Sequence, residues 1–415
     1  MKSFLKVLII VYLFAAVDPL FSDSGSTTGG VEPEAQDLAA TPTFNFSPPG
    51  ARSLGMGGTF VGIADDATAG GSNPAGLTIL ARPEASINFR TAELGTETIN
   101  PESFFNSTTN FENEMSGLSF LSYVVPLKSK NAAFSLYYQQ AANFVSHEQF
   151  RIAPFIEREN RFDFLLEHLG VSGAVKLGRF VSFGASLQYS QATVRLTNRQ
   201  SGIAAVIDGI PYYSTLEESI RDADKDLTFN AGLLVNQGGK LSLGLVYKRG
   251  GDFRLDANQT ITVETLEPRL SICLESPLSA EFNVPDAYGI GLAYRPSSSW
   301  IFGLDLISVT YSDTRSRFED FNDQSSDEQN VISDGTEVHL GMEYGLTLGD
   351  SNTPLFLRAG YYVDPDHDGT DRIDSKREFV TFGAGIFLKN KLQLDAAIAM
   401  ADENTETLIS MVWRL

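Results

Sequence analysis

The segment VSFGASLQYSQATV (Val181–Val194) decides the architecture. Side chains alternate along an extended strand, so Val181, Phe183, Ala185, Leu187 and Tyr189 share one face. Ser182, Gly184, Ser186, Gln188 and Ser190 share the other. One face is bulky and apolar; the other is small or hydrophilic. The same rhythm runs through WIFGLDLISV (300–309), VHLGMEYGLTL (338–348), LFLRAGYYV (355–363), VTFGAGIFL (380–388), LQLDAAIAM (392–400) and LISMVWRL (408–415). A soluble sandwich also alternates, and the connections separate the two architectures. Short ones fall near 126–131, 178–179, 236–240, 295–299, 349–353 and 389–390, and long ones near 95–113, 146–166, 198–223, 266–278, 313–333 and 365–375. Short turns at one rim, long loops at the other and about fourteen strands describe an all-β, antiparallel transmembrane β-barrel of the outer-membrane type. Closure leaves no strand edge in lipid. The strands exceed the roughly ten residues needed to cross, so they are expected to project on the long-loop side.

The remaining composition agrees. The chain has 415 residues, with 31 Lys+Arg against 52 Asp+Glu and a formal charge of -21. That balance excludes a nucleic-acid partner, which needs a basic footprint. Cys273 is the single cysteine, which excludes a disulfide framework. No stretch supplies about 18 consecutive apolar residues for a membrane-spanning helix. Lys2, Lys6 and the run VLIIVYLFAAV (7–17) have the layout of an export signal, expected over 1–24. A flexible linker is expected over 25–43. An N-terminal plug, or hatch, is expected over 44–82 and the barrel over 83–415, placing the mature chain in the outer membrane.

The plug rests on GARSLGMGGTFVGIADDATAGGSNPAGL (50–77). It is too rich in glycine for a stable helix and too small-sided for a core of its own. Leu54, Met56, Phe60, Val61, Ile63 and Leu77 nevertheless punctuate it, so it is no polar linker. Such a segment suits passage through a narrow space against other backbone. Pro74 fixes its own φ and pushes Asn73 to an extended conformation, from which Asn73 caps a short helical turn opened by Pro74 and Ala75. A simple turn before the first strand satisfies the same residues. Asp65 and Asp66 are expected to bond backbone amides within the plug.

With NPAGL (73–77), NVPDAYGIGLAYRPSSSWIFGLDL (283–306), LRAGYYVDPD (357–366) and REFVTFGAGI (377–386), most of the mature chain resembles the FadL/TodX family of outer-membrane transporters for long-chain fatty acids and other hydrophobic molecules. The resemblance implies a fourteen-stranded barrel, a movable hatch carrying Asp65, Asp66, Asn73, Pro74 and Ala75, and passive uptake through the lumen. It also implies long-chain fatty acids or similar hydrophobic small molecules, outer-membrane lipids and the barrel-assembly machinery as partners. PorV-like barrels share the hatch phrase, so a non-transporting barrel serving as secretion accessory or adhesin scaffold is the alternative.

A hydrophobic ligand with a carboxylate head needs an apolar slot and one cation or hydrogen-bond donor. By strand parity Arg90, Lys176, Lys248 and Arg358 face inward with Arg414, as candidates for that cation. Asp305, Glu343 and Arg358, on consecutive strands, are expected to form a network that competes for Arg358. In FIERENRFDFLLEHLG (155–170), Phe155, Ile156, Phe162, Leu165 and Leu166, with Leu169, fit an amphipathic helix above the mouth, forming either an entry groove or a lid. Asp364, Asp366, Asp368 and Gly369 have the start of a calcium-loop spacing, but Pro365 and Ser375 break it, and no metal or other cofactor is expected. With four histidines and no nucleophile arrangement, an enzyme is not expected either.

Overall fold

A computed structural model describes residues 48–100, 107–128, 131–153, 156–207, 210–236, 239–265, 270–313, 334–348, 353–365, 376–402 and 404–415. The export signal, the linker, Phe155 and most of the 364–374 acidic stretch lie outside the described residues. After a short helix α1 (Ala51–Gly55) and two 3₁₀ turns (Ala67–Gly70 and Pro74–Ile79), every long element is a strand. The first seven are β1 (Glu84–Asn100), β2 (Ser107–Pro126), β3 (Ala132–Ala153), β4 (Ile156–Leu177), β5 (Val181–Ile207), β6 (Ile210–Val235) and β7 (Leu241–Lys248). A hairpin of β8 (Asp252–Thr265) and β9 (Leu270–Asn283) follows. The wall then resumes with β10 (Ala287–Ser297), β11 (Trp300–Val309), β12 (Gly335–Leu348), β13 (Thr353–Asp364), β14 (Arg377–Leu388), β15 (Leu392–Met400) and β16 (Asn404–Arg414).

All the ladders are antiparallel, and β1 pairs with β16, with Ala85 opposite Trp413 and Arg90 opposite Leu408. The β5–β6 pairing closes the ring. Of sixteen strands, β8 and β9 stand outside the closed ring, which therefore has fourteen members. β7 pairs with both β6 and β10, whereas β8 leans on β6 alone and carries β9 at its outer side. Chain continuity explains this: β7–β8 and β9–β10 are two long strands, each bent where 249–251 and 284–286 leave the ladder.

The alternation is inverted relative to a soluble protein. Phe183, Leu187, Tyr189, Phe302, Leu304, Leu306, Leu340 and Met342 are exposed, while Ser182, Ser186, Gln188, Asp305, His339 and Glu343 are buried. Bulky apolar side chains meet lipid, and the inner face stays small because the plug fills it. Met56, Phe60, Ile63, Leu77 and Leu80 of the plug pack on Val124, Ala133, Ala174, Leu234, Ala293 and Val412 of the wall. That central layer is the hydrophobic core. Gly184 and Gly232 show how close the plug runs: an added Cβ would lie 2.3 Å from the Pro74 carbonyl carbon and 2.0 Å from Asn73 Oδ1.

The helix expected over 155–170 is overturned. Residues 155–170 form no amphipathic helix; from Ile156 they belong to β4, paired to β3 and β5 on either side. Much of 95–113, 146–166, 198–223 and 270–278 is likewise strand rather than loop. Above the membrane both faces of the wall meet water, so the apolar alternation fades. Backbone pairing across the ladder remains favourable there, and the strands continue.

Candidate functional site

The plug is stapled to the wall. Asn73 caps the second 3₁₀ turn, its Oδ1 accepting from Ala75 N at 3.3 Å while Nδ2 donates to Val61 O at 2.9 Å. Asp66 caps the first, accepting from Thr68 N at 2.8 Å and from Thr68 Oγ1 at 2.6 Å. Among the described residues Asp65 bonds no amide; it pairs with Arg52 and, at 3.5 Å, with Arg295. From α1, Arg52 also donates to both oxygens of Glu343, Nε at 2.8 Å and Nη2 at 3.0 Å.

Arg358 lies beside this pair, donating Nε to Glu343 and Nη1 to Asp395, each at 2.7 Å. Glu343 and Arg358 thus form the expected network, but Asp305 does not join it. Its Oδ2 instead accepts from Phe60 N at 2.6 Å and Val61 N at 2.7 Å, holding the plug backbone. Strand parity puts Asp305 on the inner face, but its partner depends on the plug's path, which cannot be read from the wall. His339 is buried between Gly57 O, 2.7 Å from Nδ1, and Glu337 Oε2, 2.9 Å from Nε2. Both neighbours are acceptors, which the imidazolium form satisfies.

The four candidate cations separate. Arg90 is buried in an ion pair with Glu406 at 2.8 Å, and Arg358 is buried between two carboxylates. Lys176 is exposed at the short-turn rim, where its backbone N bonds Asn131 O. Lys248, at the top of β7, alone reaches an enclosed pocket.

That pocket sits on the plug surface at Gly71 and is walled by Gln139, Ala141, Leu166, His168, Gln188, Thr228 and Asn230, with Arg249, Gly250, Gly251, Phe253 and Val284 from the two bends. Its polar floor is a continuous chain of hydrogen bonds. His168 Nδ1 meets Ser190 Oγ at 2.8 Å, Ser190 meets Thr228 at 2.7 Å, Thr228 Oγ1 donates to Gln188 Oε1 at 2.8 Å, and Gln188 Nε2 donates to Tyr137 OH at 2.7 Å. Above it lies a cluster of Ala142, Phe164, Leu166, Ala192, Phe253 and Val284, with Phe162 and Val194 against it. Of the groove candidates, Leu166 lines the pocket and Phe162 borders it, whereas Leu165 falls on the opposite parity of β4. Reading 155–170 with a strand period would have selected Leu166 and His168 together.

Gly250 makes the bend possible, because a Cβ there would fall 1.8 Å from Val284 O. An N-terminal segment thus fills a closed fourteen-stranded ring beneath a pocket with apolar and polar walls. Residues 44–410 match the family model for outer membrane protein transport protein (OMPP1/FadL/TodX).

The chain belongs to the FadL/TodX family. It is an outer-membrane β-barrel of a family that transports hydrophobic compounds, whose members are channels and transporters rather than enzymes. Among solved structures it is similar to the toluene transporter TbuX of Ralstonia pickettii, at 14% identity and TM-score 0.63, over 89% of this chain and 99% of that one. A FadL homologue of Pseudomonas aeruginosa matches at 13% identity and TM-score 0.61, over 90% and 98%. The monoaromatic hydrocarbon channel CymD matches at 16% and 0.59, over 90% and 99%. No curated protein sequence matches.

Proposed function

We propose that this FadL/TodX protein takes up long-chain fatty acids and similar amphiphiles, which bind in the pocket above Gly71 and pass when the plug moves. The observation that carries this is the pairing of an apolar cluster with one lysine. Leu166, Phe253 and Val284 offer a tail site, and Lys248 with the amide and imidazole groups of Gln139, Gln188 and His168 offers a head site. A cation that meets a carboxylate away from bulk water makes a strong, oriented contact. Of the four candidates only Lys248 lines this pocket, which makes it the head-group residue. Movement of the plug segment carrying Asn73, Pro74 and Ala75 would then open the path below.

The test compares uptake of labelled oleate and labelled toluene by cells carrying the native chain or Lys248→Met. The expected outcome is a drop of about tenfold in oleate uptake, the value of one charge-assisted bond, with toluene uptake unchanged. Native-level oleate uptake by a fully assembled Lys248→Met variant would remove Lys248 from the head site. No oleate uptake by the native chain beyond empty cells would favour the scaffold alternative or a smaller hydrocarbon as cargo.

A further inference from the structure

Charge is segregated along the barrel. The chain carries 31 Lys+Arg against 52 Asp+Glu, yet its short-turn rim is cationic. Lys128 lies in the β2–β3 turn, Lys176 and Arg179 flank the β4–β5 turn, and all three are exposed. Further round the rim, Lys240 is exposed in the β6–β7 turn, Lys389 and Lys391 in the β14–β15 turn, and Arg82 before β1. None of these cations pairs with a carboxylate among the described residues, and no exposed carboxylate side chain stands among the described residues of these turns. Glu84, close to Arg82, is buried and held by Arg414 at 3.0 Å. The exposed Glu157, Glu217 and Asp256 stand on the opposite, long-strand side.

The β2–β3 and β4–β5 turns form one patch, because β3 pairs with β4 and Lys176 N donates to Asn131 O at 2.8 Å. Each cation of the patch has an exposed apolar neighbour: Leu127 beside Lys128, Leu177 beside Lys176, and Phe180 beside Arg179. Arg179 lies over the Phe180 ring, its Cζ 5.3 Å from the ring centre. Leu127, Leu177 and Phe180 carry the outward apolar belt of Val125, Phe134, Val175 and Phe183 down to the rim. The cations therefore begin where the belt ends. One residue advances a strand by about 3.3 Å, which sets the charges at head-group depth. Long stems let Lys and Arg hold that charge in the polar layer while their methylenes lie against the belt. Short turns face the periplasm in this architecture, so the patch meets the inner leaflet of the outer membrane. A soluble phosphate would account for the cations but not for the three apolar side chains interleaved with them.

We propose that Lys128, Lys176 and Arg179 bind the phosphodiester head group of an anionic phospholipid in the periplasmic leaflet, with its acyl chains lying on Leu127, Leu177 and Phe180. The inference is independent of the pocket and of the cargo. Its test reconstitutes the full-length protein in nanodiscs of phosphatidylcholine with a minor fraction of phosphatidylglycerol. Lipids retained after extraction into detergent are then counted by native mass spectrometry. The native chain is expected to retain phosphatidylglycerol well above its share. One cation near an anionic surface is worth about fivefold in binding, so Lys176→Gln should lower the preference by about that factor. Adding Lys128→Gln and Arg179→Gln should lower it by more than about tenfold. The charge-conserving set Lys128→Arg, Lys176→Arg and Arg179→Lys should keep it. All of these chains are expected to show the folded band on a gel, since the three side chains are exposed.

Equal retention of the two lipids by the native chain overturns the proposal, and so does an undiminished preference in the assembled triple Gln variant. In a second arm, Leu127→Ser with Phe180→Ser leaves the charge intact and should lower retention several-fold, because the acyl chains lose their apolar contact. Unchanged retention there, or displacement of the lipid by glycerol 3-phosphate alone, assigns the patch to a soluble phosphate and overturns the lipid. Binding of poly-glutamate without any lipid preference assigns it to an acidic polypeptide and overturns the lipid as well.

Discussion

The plug is held differently by the two halves of the barrel. Against β11–β16 charged partners hold it, beside neutral bonds from Ala51 N to Ser410 Oγ at 2.7 Å and from Gly57 N to Thr381 Oγ1 at 2.9 Å. Arg52 meets Glu343, the Phe60 and Val61 amides meet Asp305, and Gly57 O meets His339. Against β2–β7 its bonds are neutral. Ser122 donates to Ala67 O at 2.8 Å, Ser172 to Gly70 O at 2.9 Å, Asn230 to Gly71 O at 3.2 Å and Ser242 to Gly62 O at 2.8 Å. Hydrogen bonds to charged groups are worth about 1.5–3 kcal/mol and neutral ones about 1. On the proposed function, one half anchors the plug and the other is the side from which it lifts, and the pocket lies on that lifting side. A gate needs that asymmetry: uniform strong contacts would seal it, and uniform weak ones would leak.

The largest expected effect comes from the anchor's centre. Arg358→Met leaves Asp395 and part of Glu343 buried without their cation, and breaking a buried pair costs about 3–5 kcal/mol. The temperature at which the folded band converts to the unfolded band on a gel should fall clearly. A native conversion temperature would mean that Arg52 and Gln393 suffice to neutralise the cluster, and the anchor would be weaker than its geometry suggests.

Next comes a direct contrast between the halves. Asp305→Ala strands two buried amides, at about 1–3 kcal/mol each, whereas Ser242→Ala removes one donor from Gly62 O. Hydrogen exchange of the Phe60 and Val61 amides should accelerate strongly in the first variant and slightly in the second, with the wall ladders protected in both. Equal acceleration would erase the distinction between the two sides.

How much of this was legible beforehand depends on the range of the interaction. Strand faces follow from a period of two residues, so the outward Phe183, Leu187 and Tyr189 and the inward Asp305, Glu343 and Arg358 can be assigned from sequence. The tall extracellular strands were not legible. In FIERENRFDFLLEHLG apolar residues fall at both helical and strand spacings, and only pairing with β3 and β5 decides between them. The partners of Arg52 and Asp305 depend on where the plug runs.

The smallest effect concerns Asn73, where the plug turns toward the wall. Its side chain caps the Pro74 turn and ties that turn to Val61 O, with Gly232 directly beneath. Asn73→Ala removes the cap and the amide's bonds to Val61 O and, at 3.5 Å, to Leu245 O, and the loss of such a cap typically costs about 1 kcal/mol. That is too little to disturb a wall whose strength lies in a closed ring of fourteen paired strands. It matters to a plug whose lifting side is held by single neutral bonds. The variant should therefore assemble normally, keep its gel conversion temperature, and change its rate of oleate uptake. Asn73→Asp separates the two bonds, since the carboxylate keeps the Ala75 cap and loses the donor to Val61. If uptake follows the cap, Asn73→Asp behaves like the native chain. If it follows the tie to Val61, Asn73→Asp behaves like Asn73→Ala. Native uptake in both variants would show that Asn73 is a turn residue only and that movement of the plug is governed from the charged anchor.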